Sequence, residues 1–138
     1  MNKIGYSILL LSVLMLHAGC QSSQKDPVAK LTYIYLDGTA NKYIIKQTSV
    51  EYIPVKPEQS SSGMYSGGNP WEVKIDDQQF ARLHFVFQKA IFKNGMQKGQ
   101  REKGTGMLIV EPDNVSYIFK MNSPYKKDIE DAILAVKK

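Results

Sequence analysis

The chain has 138 residues, 43% of them hydrophobic and 22% charged, with 18 basic residues against 13 acidic ones. That balance suits one folded globular domain and excludes the disordered, collagen-like and disulfide-stapled classes. A single cysteine makes no internal disulfide, and two histidines with no ligand cluster at recognisable spacing supply no metal site.

Residues 1–20 have the three parts of an export signal. Lys3 gives a positive start, Ile8–Leu16 is an apolar run, and small Ala18 and Gly19 precede Cys20. The run is too short for a mature membrane-spanning helix, which needs about 20 apolar residues. The ending Leu16-His17-Ala18-Gly19-Cys20 resembles the lipobox of bacterial lipoproteins, with His17 standing where that family prefers Leu. The resemblance implies cleavage before Cys20 and acylation of Cys20 with fatty acids such as palmitate. It also implies a lipid-anchored place in the cell envelope. Because Gln21 rather than Asp follows, it favours the outer membrane in a two-membrane cell. It covers residues 16–20 and implies no activity. The alternative is a secreted protein with an unmodified, buried Cys20.

Removing residues 1–19 takes away Lys3 and no acid, leaving 17 basic residues against 13 acidic ones and a charge of +4. His84 becomes the only histidine. For an exported, anchored domain, a mildly basic surface points to lipid headgroups or acidic glycans, not nucleic acid.

After the lipidated cysteine, polar residues Gln21–Pro27 read as a tether, so residues 20–27 link membrane and domain. Residues 28–138 form a single domain of about 110 residues, enough for one small core. Leu31–Leu36 is dense in β-branched and aromatic residues and ends at the turn signal Asp37-Gly38. Tyr43–Lys46 and Val50–Val55 are further strands, the second placed at an edge because Pro54 lacks a donor. Trp71–Ile75 alternates apolar and charged residues, the pattern of a half-buried strand.

Asp76-Asp77 then offers a helix cap. Phe80, Leu83, Phe87, Ala90 and Ile91 fall at helical spacing between Gln78 and Lys93, while Arg82, Lys89 and Lys93 gather opposite. Leu83, Phe85 and Phe87 also alternate, so a strand is the competing assignment; length and the acidic start favour helix. Gly95 can end it. Phe85 and Phe92 leave the main apolar stripe, and coverage by the final helix is the favoured account of them, an exposed partner patch the other.

A basic, glycine-containing loop, Asn94–Gly104, follows. Met107–Val110 and Val115–Phe119 read as strands joined by a turn at Pro112-Asp113-Asn114. Ser123-Pro124 opens a last helix with an apolar stripe of Ile129, Ala132, Ile133 and Val136. The order ββββαββα predicts an α+β fold, a mostly antiparallel sheet with two helices on one face.

The most unusual segment is Gln59–Trp71. Ser60, Ser61, Ser62, Gly63, Tyr65, Ser66, Gly67 and Gly68 lead into Trp71, the only tryptophan. Glycines let backbone amides converge on an anion, and hydroxyls beside an aromatic ring suit sugar recognition. The plain alternative is a solvated connector. No Gly-Lys-Ser/Thr ending makes it a nucleotide loop.

Catalytic constellations are weak. A serine nucleophile needs a base in reach, and His84 lies between Leu83 and Phe85 at the margin of a core. No Gly-x-Ser-x-Gly elbow occurs. Glu51, Glu72 and Glu111 on strands could meet as an acid/base pair, whereas Asp76 and Asp77 serve as caps. Lys89, Lys93, Lys98, Arg101 and Lys103 read as a solvated face, or as a contact for anionic headgroups.

These features predict a non-catalytic binding or assembly module for an envelope protein or glycan, with no cofactor. The alternatives are an enzyme inhibitor using the Ser/Gly-rich loop and a small carboxylate-dependent hydrolase.

Overall fold

The computed structural model describes residues 30–94 and 100–138. The export signal, Cys20, the Gln21–Pro27 tether, the domain start at Val28, Gly95 and Lys98 lie outside the described residues.

Strands β1 (Thr32–Leu36), β2 (Lys42–Lys46), β3 (Ser49–Ile53) and β4 (Trp71–Lys74) form a meander. Helix α1 (Asp77–Asn94) follows, then β5 (Gly106–Glu111), β6 (Val115–Phe119) and helix α2 (Pro124–Ala135). All pairings are antiparallel, in the order β4-β3-β2-β1-β5-β6, so α1 crosses the sheet and returns the chain to the free side of β1. This is the α+β fold expected from the order of elements.

Register sorts the residues into two faces because side chains alternate along a strand. On one face Tyr33, Tyr35, Ile45, Val50 and Leu108 are buried against Leu83, Phe87 and Ala90 of α1 and Ile129 and Ile133 of α2. Each large apolar side chain fully buried there contributes about 1.5–3 kcal/mol. The opposite face carries half-buried Ile34, Leu36, Ile44, Met107 and Ile109 among Lys42, Lys46 and Lys74, and neither helix packs on it. On the covered face an aromatic row crosses four strands. Tyr35, Tyr43, Tyr52 and Trp71 follow one another with ring centroids 6.2, 4.8 and 5.5 Å apart.

Local signals account for the helix ends. Asp76 Oδ1 accepts from the Gln79 amide at 2.7 Å, and Gln79 Oε1 accepts from the Asp76 amide at 3.0 Å, a reciprocal capping box. Ser123 caps α2 by position only; its side chain makes no cap bond, and Pro124 starts the first turn.

Two expectations are corrected. The strand containing Tyr52 is not an edge: β3 lies between β2 and β4, ends at Ile53, and leaves Pro54 beyond the ladder. The edges are β4 and β6. Phe85 and Phe92 are not covered by α2, being 69% and 81% exposed. They project opposite the buried stripe of α1, while α2 packs along its Leu83–Val86 flank, where Ala132 and Val136 meet it across a small cleft.

Candidate functional site

Three connections converge where β1, β3 and β5 meet their loops. The first is the tight turn Asp37–Asn41. Asp37 Oδ1 accepts from the Thr39 amide and hydroxyl, both at 2.9 Å, and from the Asn41 amide at 3.0 Å. A short acid thereby satisfies the turn's own donors. The turn holds Ala40 at φ 71°, a conformation that glycine adopts more readily.

Asn41 is the hub. It is 4% exposed and uses both ends of its amide. Nδ2 donates to Asp37 Oδ2 at 2.8 Å and lies 2.9 Å from Thr39 Oγ1 and 3.1 Å from the Tyr65 hydroxyl. Oδ1 accepts from the Val55 amide at 3.0 Å. The Tyr65 hydroxyl donates to Thr39 Oγ1 at 2.9 Å.

The second connection is the serine- and glycine-rich segment, docked onto this turn. Gly67 donates its amide to the Val55 carbonyl at 2.9 Å and accepts from the Tyr52 hydroxyl at 2.7 Å. Its backbone lies so close that a Cβ there would fall 2.1 Å from Asn41 Oδ1. The third connection precedes β5. The Arg101 guanidinium donates to the carbonyls of Asp37 and Thr105, and the Gly104 amide donates to the Gly38 carbonyl at 3.1 Å.

Between them lies an open groove of about 830 Å³. Ile53, Pro54 and Val55 give it apolar wall, Ser60, Ser61, Ser62 and Tyr65 give it hydroxyls, and Lys42, Arg101 and Lys103 give it positive charge against Glu102 alone. Ser60 Oγ is engaged with the Pro57 carbonyl at 2.9 Å. Ser61 and Ser62 are exposed on the rim.

The expected binding loop therefore divides. Ser60, Ser61, Ser62 and Tyr65 line the groove; Gly63, Ser66, Gly67, Gly68 and Trp71 do not. The glycine amides expected to converge on an anion are engaged within the segment and its neighbours instead. Gly63 donates to the Ser60 carbonyl at 3.1 Å, and Met64 and Gly68 donate to Ser62 Oγ and Ser66 Oγ, each at 3.3 Å. Trp71 offers no free sugar platform: its ring stacks on Tyr52, and Lys137 Nζ sits 5.2 Å from its centroid.

The other candidates fall elsewhere. His84 Nδ1 is 2.7 Å from the Tyr33 hydroxyl, inside the helix–sheet contact and away from the groove serines. Glu51 and Glu72 stand directly opposite each other across β3 and β4, whereas Glu111 on β5 pairs with Thr32 and is separated from β3 by β2 and β1. None of the three lines the groove. Among the described residues no group of three or more His, Cys, Asp or Glu is placed to hold a metal ion, and no helix is long and apolar enough to cross a membrane.

Sequence reasoning missed Asp37, Thr39, Asn41, Lys42 and Arg101 as parts of this site. The alternating Asp37, Thr39 and Asn41 were the available signal, since such side chains bond back to nearby backbone. No protein-family model, curated protein or solved structure matches this chain.

Proposed function

We propose that the chain is a lipid-anchored, non-catalytic recognition module of the cell envelope, and that its groove holds a segment of acidic glycan. The observation that carries this reading is the groove's composition. Three cations, a row of serine hydroxyls and one tyrosine ring border an apolar wall on a single open surface. Sugar rings offer an apolar face and many hydroxyls, and a uronate or sulfate adds the charge that Lys42, Arg101 and Lys103 complement. The Asn41 hub holds the wall and Tyr65 in place beforehand, which lowers the ordering cost of binding. Location rests on Ala18-Gly19-Cys20 and the apolar run before it. Mass measurement of Cys20 from the membrane fraction tests that part.

The groove is tested by titrating the full chain with a uronic-acid oligosaccharide and its neutral analogue. The acidic ligand binds, weakens as salt rises, and loses about ten-fold in affinity in K42Q/K103Q, near 0.7 kcal/mol per charge. Equal affinity for both ligands, or none for either, overturns the reading. Met64, 86% exposed at the tip of the loop, favours the inhibitor as the second reading. A tight complex with a lytic enzyme, lost when Ser60–Asn69 is replaced by a neutral linker, would establish it instead.

A further inference from the structure

The outward side of α1 has an organisation that packing does not require. Phe85 and Phe92 lie two turns apart, 69% and 81% exposed, opposite buried Leu83, Phe87 and Ala90. At about 100° per residue, Arg82, Lys89 and Lys93 fall along one side of the Phe85–Phe92 line, and Ala81 and Gln88 along the other. From Gln78 to Lys93 the helix carries no acid. Lys93 Nζ lies 5.5 Å from the Phe92 centroid, and Lys89 reaches Asp128 only loosely at 3.9 Å, both ends of that pair being about half exposed. Glu130 and Asp131 of α2 are each taken up by a lysine one turn earlier.

We propose that this face of α1 rests on an anionic lipid surface, with Phe85 and Phe92 entering the headgroup–acyl boundary and Arg82, Lys89 and Lys93 meeting the headgroups. Exposed aromatics beside cations, without acids, are the composition of an interfacial helix. The shape agrees. Two rings standing this free of neighbours suit a fluid interface, whereas a protein partner would need two matched sockets. A second copy of the same face would set three cations against three cations, which opposes self-association. No residue of α1 lines the groove, so membrane contact leaves it open to its ligand. One further argument rests on the proposed anchor: Cys20 and Lys30 are ten residues apart, keeping the domain within about 35 Å of an acylated cysteine.

The test places photoreactive benzoylphenylalanine at position 85, 92 or 53 of the full chain. The chain is then bound to vesicles of phosphatidylethanolamine with phosphatidylglycerol, or of phosphatidylcholine alone. Lipid adducts are expected at 85 and 92 on the anionic vesicles, at least five-fold above position 53, and to fall about five-fold in K89Q/K93Q. Thermal melting of F85S/F92S is expected to match the unaltered chain, which separates loss of contact from loss of fold. Absent lipid adducts, adducts to a second copy or to another protein at these positions, or equal labelling on phosphatidylcholine would overturn the proposal. Cys20 is weighed in the same samples. An unmodified Cys20 with lipid adducts at 85 and 92 removes the anchor and leaves the face. An acylated Cys20 without adducts removes the face and leaves the anchor.

Discussion

The Tyr33 hydroxyl and His84 Nδ1 lie 2.7 Å apart, with Gln88 Nε2 3.0 Å from the same hydroxyl. Gln88 donates through that nitrogen to the phenol oxygen, which shares a second hydrogen bond with Nδ1. One buried phenol thus joins the central strand to α1, with its ring edge-on to Phe87 at 4.8 Å. His84→Ala leaves the buried phenol without that partner and costs about 1–3 kcal/mol. Tyr33→Phe in the same background restores part of the loss, because both partners are then gone. A double-mutant cycle by urea unfolding measures the coupling; strict additivity would contradict the bond.

Alkaline pH acts on the same face. Burial raises the phenol of Tyr33, with the Gln88 bond opposing, and burial raises Tyr35 much further, assisted by the charge of Glu130 and its bond at 3.0 Å. Tyr43 is raised by burial and then by Asp37. A raised phenol favours the protonated form in the folded state. Its contribution is therefore complete below the ordinary phenol value of 10.0 and declines as pH rises above it. The expected urea midpoint falls from about pH 10 upward, with the phenolate absorbance of Tyr33, Tyr35 and Tyr43 appearing together with unfolding. Tyr35→Phe flattens that decline.

The fold was legible where one period dominates. Trp71, Val73 and Ile75 alternate with Glu72 and Lys74, and Leu83, Phe87 and Ala90 keep one phase for two turns. Pro54 misled because a lost donor matters only inside a ladder, and β3 ends one residue before it. Phe85 and Phe92 could be phased against the core, but periodicity within one helix says nothing about which flank the next helix covers. Trp71 looked free in a polar stretch because its partner, Tyr52, lies across a strand pairing that local sequence does not encode. The site was half legible for the same reason. Ser60, Ser61, Ser62 and Tyr65 announce themselves by composition. Asn41 does not, since Val55 and Tyr65 lie 14 and 24 residues away.

Asn41 is where stability and the proposed recognition coincide. Asn41→Ala leaves the half-buried Val55 amide without its acceptor and removes one of the two side-chain contacts of the Tyr65 hydroxyl, at a cost of about 1–3 kcal/mol. Asn41→Asp is expected to fail too, because it removes the donor to Asp37 and sets a second carboxylate 2.8 Å from the first. Gly67→Ala reaches the same contact from the other side, since its Cβ would also fall 2.8 Å from Pro54 Cβ. By contrast Gly63→Ala meets open space and is charged only the strain of its φ of +67°. Thermal melting of the three variants at Asn41 and Gly67 against Gly63→Ala checks the ranking. Equal melting temperatures would mean the loop is not docked as described.

Ala40 gives a prediction of the opposite sign. Its φ of 71° lies in the left-handed region, where a Cβ crowds the following carbonyl. The turn enforces that conformation, because the Ala40 amide donates to the Asp37 carbonyl at 3.0 Å and Asp37 Oδ1 holds the amides on either side. Glycine relieves the crowding, and its greater freedom in the unfolded chain offsets part of the gain. Ala40→Gly is therefore expected to raise stability by about 0.5–1 kcal/mol, whereas a β-branched Ala40→Val lowers it by more than that. Ala40 borders the groove without offering a polar atom of its side chain, so the proposed glycan binding is expected to be unchanged in the glycine variant. Urea unfolding of the pair gives the signs. A destabilised Ala40→Gly would show that Asp37, Thr39 and Asn41 do not hold this turn left-handed in solution.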